Sequence, residues 1–262
     1  MVEIGYGLRM RNRAIPEITE HDKARVRAMV IYEDAHVLAF NKPSGLAVQT
    51  RGNRGTSLDH LLWTFARSNG KRPDLVHRID VGTSGIIIAA KTKPATAFFN
   101  AAFAERRAAK RYLAIVSGDL PIGENGVCDL ALRKSGRRVF AEGMAVPPPD
   151  ARDKRAPDAL GAAMTARTDW HVLARVGDKA LIEARPLTGR MHQIRAHLAG
   201  MGCAILGDHI YGEKRSAPRL MLHAAGLTLP YPDTKELADK KELALEAPVP
   251  DDFSEVQARL GL

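Results

Sequence analysis

The longest apolar runs in this chain are only about six residues, and that limit constrains its architecture more than any other feature. Gly85–Ala90, built around Ile86-Ile87-Ile88, reads with Lys91 as a buried β-strand. No run approaches the roughly 20 apolar residues of a membrane-spanning helix. The first residues, MVEIGYGLRMRNR, have neither an apolar core nor a small-residue cleavage site, so no secretory leader is expected. Cys128 and Cys203 are too few for a disulfide framework or a cysteine-rich metal site, and a reducing cytoplasm is the expected setting.

Around that strand the pattern mixes short strands and short helices. Met29–Asp34 and His36–Pro43 read as a hairpin closed by an acidic turn and followed by Ser44-Gly45. Ser57–Arg67 reads as a helix capped by Ser57, with Leu58, Leu61, Leu62 and Phe65 on one face. Pro94–Ala109 reads as a helix with Phe98, Phe99, Ala102 and Phe103 as its stripe. Arg111–Ser117 and Lys179–Arg185 alternate as strands, Met191–Gly200 reads as a helix, and Arg219–Leu229 ends in a strand. Residues 133–163 read as an irregular surface loop, basic at its start and proline-rich at Pro147–Pro149. Strict βα alternation is absent, which predicts an α+β fold with a mixed, largely antiparallel sheet.

The charge is uneven. Lys and Arg number 39 against 30 Asp and Glu, a net +9. Residues 231–262 hold eight acids and four bases, net −4, leaving +13 on residues 1–230. A cationic body of this kind attracts polyanions, nucleic acid foremost. The organisation expected is a basic extension over 1–28, a central domain over 29–232 and an acidic C-terminal segment over 233–262. The extension, with Arg9, Arg11, Arg13, Lys23, Arg25 and Arg27, suits a solvated tail as well as an RNA-contacting arm.

Two polar clusters interrupt the apolar pattern. In His77-Arg78-Ile79-Asp80-Val81-Gly82-Thr83-Ser84-Gly85, just before the Ile86 strand, Asp80 is either a turn-capping side chain or a reactive carboxylate on a rigid frame. A nucleophile elbow fails because Ile86 stands two after Ser84, and a phosphate loop fails because Ile86 follows Gly85. Gly5-x-Gly7 lacks a third glycine. The second cluster, Thr188-Gly189-Arg190-Met191-His192-Gln193-Ile194-Arg195-Ala196-His197, lacks metal-protease spacing, so no metal is expected. Arg190 and Arg195 are surface charge, or one is the bidentate partner of a buried Asp80. Tyr112 is core or a stacking platform beside the basic residues Arg106, Arg107, Lys110 and Arg111, which suit phosphate contact.

The first cluster, followed by Ile86–Lys91, resembles the signature of the RluA-type pseudouridine synthases. Asn41-Lys42-Pro43-Ser44-Gly45 resembles that family's early motif. Thr188–His197 followed by Gly207-Asp208-x-x-Tyr211-Gly212 resembles its late one. The similarity runs in order over about residues 29–229. It implies the pseudouridine synthase fold and isomerisation of specific uridines in ribosomal or transfer RNA, with no cofactor, by a cytoplasmic monomer. By the same resemblance Asp80 is the catalytic residue, Arg78 takes the flipped-out nucleotide's place, Tyr112 packs on the target base and Arg195 pairs with Asp80. His77, Thr83, Arg190, His192 and Gln193 are expected at the substrate, and Arg106, Arg107, Lys110 and Arg111 at the RNA backbone. Ile79 stands where Leu is commoner, and 133–163 is a variable insertion. Many members carry a small RNA-binding domain in front. Residues 1–28 are too short for one, so the +13 body is expected to supply RNA affinity. A non-catalytic RNA-binding protein would share the basic surface without needing Asp80 beside Arg195. A nucleoside hydrolase would have little use for the charge.

Overall fold

The Ile86 run lies in β4 (Ser84–Ala90), every residue of which is buried. The computed structural model describes residues 17–50, 56–119, 123–136, 138–144, 161–232 and 241–262. Ahead of β4 come α1 (Glu20–Ala28), β1 (Val30–Glu33), β2 (Val37–Lys42), α2 (Leu58–Leu61) and β3 (Asp74–Leu75). After it come α3 (Lys93–Ala104), β5 (Ala109–Gly118), β6 (Asn125–Cys128), β7 (Leu132–Ser135) and β8 (Arg138–Ala141). The rest are β9 (Thr168–Val176), β10 (Lys179–Pro186), α4 (Gln193–Gly200), β11 (Cys203–Ile205), β12 (Leu222–Pro230), β13 (Glu242–Glu246) and α5 (Asp251–Leu260). The main sheet runs β1-β2-β4-β12-β5-β10-β9-β6, with β3, β11 and β13 paired at its sides. All its pairings are antiparallel except β4 with β12, so the fold is α+β with a mixed, mostly antiparallel sheet.

The parallel pair is short, His223 opposite Ser84 and Ala224 opposite Gly85, and it places the Asp80 turn at mid-sheet. Gly85 makes it possible. Its φ is +106°, and a Cβ there would stand 2.2 Å from the Ala224 carbonyl oxygen, a contact no side chain can make. On one side of the junction Ile86 and Ile88 pack with Val37, Phe99, Leu227 and Leu243; Ile87 faces the opposite layer with Phe40, Leu61 and Leu62. Such alternation buries both faces, and each fully buried Ile contributes about 1.5–3 kcal/mol. Beyond β12 a further core packs Ile115, Ile182, Leu198 and Phe253.

Several elements depart from the sequence reading. The helix expected over Ser57–Arg67 is one turn, α2, with Ser57 Oγ accepting from the His60 N–H. It tightens to a 3₁₀ turn at Leu62–Phe65, where aromatic and β-branched residues favour the α-helix less. The helix expected to Ala109 stops at Ala104: Arg106 turns left-handed (φ 59°), the Arg107 N–H closes on the Ala102 carbonyl, and Ala109 already belongs to β5. The start of the supposed irregular loop is the hairpin β7–β8; residues 145–160 lie outside the described part. The described parts of the two segments set apart by charge pack on the core. In α1, Val26 is fully buried. β13 pairs along β12, and α5 buries Phe253 and Val256. Arg9, Arg11 and Arg13, and residues 233–240, lie outside the described part. No described helix is long and apolar enough to cross a membrane.

Candidate active site

A cleft of about 750 Å³ opens between the turn before β4, the start of β5 and the loop leading into α4. Asp80 lies on its floor with its side chain 25% exposed. The capping alternative is not realised among the described residues: the turn is closed by the Thr83 N–H donating to the Asp80 carbonyl. The carboxylate faces Arg195, whose Nη1 donates to Oδ2 at 3.1 Å. Thus the two clusters, 115 residues apart, meet as an ion pair.

Arg195 is held chiefly by a residue to which the sequence reading gave no role. Its Nε and Nη2 donate to the two carboxylate oxygens of Asp208, each at 2.7 Å, and Asp208 is completely buried. A bidentate pair of this kind fixes the plane of the guanidinium, leaving Nη1 for Asp80. Burial works against Arg195's charge, but the hydrogen bonds and charge of Asp208 outweigh it and raise its pKa. Burial likewise opposes ionisation of Asp208. Arg195 and the backbone N–H groups of Ile210 and Tyr211 outweigh it and hold that carboxyl below the usual range. Those N–H bonds to Asp208 Oδ1 also place Tyr211, whose ring lies 5.3 Å from the Arg195 guanidinium carbon.

The turn that bears Asp80 is braced from beneath by Lys42, another residue without an assigned role. Lys42 is completely buried, and its Nζ donates to the carbonyls of Pro43, Leu46 and Val81. Burial pulls its pKa down to about 8, against the pull of Asp80. Ser44 Oγ adds a bond to the Gly82 carbonyl. The motif signal was present for Lys42, Asp208 and Tyr211, all inside segments that resemble the family. Nothing in the sequence indicated which residue each would touch.

The remaining expected site residues divide by role. Tyr112 lines the cleft; burial, then the negative charge of Asp80, pushes its hydroxyl well above the ordinary tyrosine range, so it stays protonated. Arg78, Arg106 and Arg190 are exposed on the lining and make no ion pair among the described residues. Lys110 also lines it, its Nζ donating to the Thr188 carbonyl and its pKa lowered to about 8 by burial. His77 lines the cleft but serves the frame: its Nε2 accepts the Ile88 N–H, its ring stacks on Phe103, and burial lowers its pKa to about 3. Thr83 is buried under the Asp80 turn.

Three expected site residues and one helix start lie differently from the sequence reading. Gln193 is buried with its whole amide spent on protein: Oε1 accepts from Thr188 Oγ1 and the Arg190 N–H, while Nε2 donates to the Arg167 carbonyl and Thr168 Oγ1. These bonds tie it to the loop before α4, at the cleft lining. Arg111 points to the face of β5 opposite Lys110 and Tyr112 and pairs with Glu183 and Glu246, away from the cleft. Arg107 lies outside the cleft lining, bonded to Glu105 at 2.7 Å and 5.9 Å from the Phe98 ring centre. The helix expected from Met191 begins at Gln193, because His192 is left-handed (φ 53°).

The family model for RNA pseudouridylate synthase matches residues 36–200. An uncharacterised RNA pseudouridine synthase of Zymomonas mobilis is 32% identical over 87% of this chain and 96% of its own length. The dual-specificity RNA pseudouridine synthase RluA of Escherichia coli is 32% identical over 78% and 87%. The solved human RNA pseudouridylate synthase domain containing 1 aligns with a TM-score of 0.64 at 26% identity, covering 84% of this chain and 83% of its own. The human domain containing 4 shares the fold, with a TM-score of 0.71 at 24% identity over 92% and 97%. The matched residues include both clusters that meet in the cleft, and the chain belongs to the RluA-type RNA pseudouridine synthases, enzymes of the isomerase class.

Proposed function

We infer that the chain isomerises particular uridines of ribosomal or transfer RNA in the cytoplasm, with Asp80 as the reactive carboxylate and the target nucleotide flipped into the cleft. The observation that carries this reading is a partly exposed carboxylate on the floor of a basic cleft, held by a buried guanidinium. The bond from C1′ to N1 breaks, the uracil turns, and a bond from C1′ to C5 forms. The C5 proton leaves and N1 gains one, so the atoms balance. A carboxylate is competent as nucleophile at the sugar, as base toward a sugar proton, or as nucleophile toward the ring. Each role needs its ionised form.

Tyr112, neutral and facing the cleft, suits stacking on the detached base more than proton removal. Flipping costs a few kcal/mol of lost stacking, and Arg78, exposed beside the Asp80 turn, is placed to offset part of it. Arg106 and Arg190 on the lining, with Lys110 deeper, suit the phosphates on either side. The direct test is a pseudouridine assay on parent and Asp80→Asn protein with matched RNA-binding measurements. Loss of product at preserved affinity supports the reading, and substantial pseudouridine from Asp80→Asn overturns it. Mapping pseudouridines in cellular RNA with and without the protein identifies the RNA.

A further inference from the structure

His192 and Tyr211 have no part in the chemistry derived so far, and their geometry supplies one. His192 is one of two non-glycine residues with positive φ among those described. Glycine is the default at such a position, and a side chain kept there marks a place where its direction matters. The His192 side chain is directed at Asp80: Nε2 lies 3.9 Å from Oδ2. Its other nitrogen, Nδ1, is 3.0 Å from the Tyr211 hydroxyl oxygen. That oxygen accepts the Val139 N–H of β8 at 3.2 Å.

The direction of each proton follows from the partners. Burial pushes the Tyr211 hydroxyl up to about 12, so it carries its proton. Its oxygen is already an acceptor for Val139, and the remaining partner for the proton among the described residues is His192 Nδ1. With the hydroxyl proton given to Nδ1, the neutral ring carries its own proton on Nε2, toward the carboxylate. Titratable and charged groups face the ring from three sides: Asp80 on the turn before β4, Arg195 on α4, and Asp208, His209 and Tyr211 after β11. Burial, helped by Arg195 and His209, lowers the His192 pKa against the opposing pull of Asp80 and Asp208. Arg195 donates to Oδ2, and His192 Nε2 lies 3.9 Å from the same oxygen.

We propose that His192 is a positioning residue for Asp80: the chain from Val139 N–H through the Tyr211 hydroxyl to His192 Nδ1 fixes the tautomer whose Nε2–H holds Oδ2 and turns Oδ1 to the uridine. The 3.9 Å separation closes to a hydrogen bond when substrate fills the cleft, as separations in unliganded sites commonly do. The hairpin β7–β8 is thereby tied to the reaction. The proposal rests on Asp80 being the reactive carboxylate.

Nitrogen-15 shifts of histidine-labelled protein report the tautomer without reference to turnover. The parent is expected to show Nε2–H at His192. Tyr211→Phe should lose the preference and move the His192 titration to higher pH, because the donor that favours the neutral ring is gone. His192→Ala should slow single-turnover product formation at saturating RNA about ten- to a hundredfold, the range of one charge-assisted hydrogen bond. RNA affinity should stay unchanged. His192→Gln, whose amide N–H reaches the place of Nε2, should recover part of the rate. An Nδ1–H tautomer in the parent, or His192→Ala at the parent rate between about pH 6 and 8, overturns the proposal. If Asp80→Asn is inactive while His192→Ala is at full rate, this proposal alone fails. If Asp80→Asn is active, the reading of Asp80 fails instead.

Discussion

The floor and the rim of the cleft both use arginine, and they use it in opposite ways. On the floor Arg195 is almost fully buried and gives its guanidinium to Asp208 and Asp80. On the rim Arg78, Arg106 and Arg190 stand in solvent with no ion pair among the described residues. A buried charge without partners costs several kcal/mol, whereas an exposed one stays hydrated at no cost. The Arg195 pairing on the floor is therefore complete without RNA, whereas the rim cations are proposed to find their partners in it. Chemistry and affinity should accordingly be separable by mutation.

Asp80→Asn should show the separation most clearly. Product formation should fall by about a thousandfold or more, within the range for loss of a reactive acid–base or nucleophilic group. RNA affinity should stay within about twofold if, as proposed, the rim cations supply it. Quench-flow product assays and filter binding on the same preparation check both halves. A parallel loss of affinity would break the distinction between floor and rim.

Asp208→Ala should cost the fold itself. It leaves Arg195 buried without its bidentate partner, a loss of about 3–5 kcal/mol readable by urea unfolding. The pH dependence has a definite sign. The Asp208 carboxyl is held below its ordinary 3.8 in the folded protein. Its contribution is therefore complete above the unfolded-state pKa and is lost as pH falls through the lower folded value. Parent stability should drop below about pH 4, and Asp208→Asn should lack that part of the drop.

Rim substitutions should be milder and of a different kind. Arg106→Ala and Arg190→Ala should each weaken RNA binding and reduce the slope of log affinity against log salt by about one unit. Their single-turnover rates at saturating RNA should hold. The smallest effect belongs to Arg111→Ala, whose guanidinium already serves Glu183 and Glu246 on the other face of β5. It should leave the salt slope unchanged, and a slope change as large as that of Arg106→Ala would show that RNA reaches beyond the cleft.

The sequence by itself determined the central strands β1, β2, β4, β5, β10 and β12, because β-branched runs such as Ile86–Ile88 bury both faces, whereas the short β7–β8 hairpin carries no such run. It also identified Asp80 and Arg195, because a polar cluster at a strand end and a late arginine fall in ordered motifs that resemble one family. Motif membership names residues without naming their partners. Only the tertiary structure decided that Arg195 spends two of its donor groups on Asp208, that Lys42 braces the Asp80 turn from below, and that Gln193 is consumed within the protein. Only it separated Arg111 from Lys110 and Tyr112, since a strand sends neighbouring side chains to opposite faces and the sequence does not say which face becomes the cleft. The tertiary structure also brought the left-handed His192 to Tyr211 and Tyr211 to Val139 of the β7–β8 hairpin, contacts over long sequence separations. Local patterns determine elements because backbone and side-chain preferences act within a few residues. Pairings between buried polar groups are decided by packing, which acts across the whole chain.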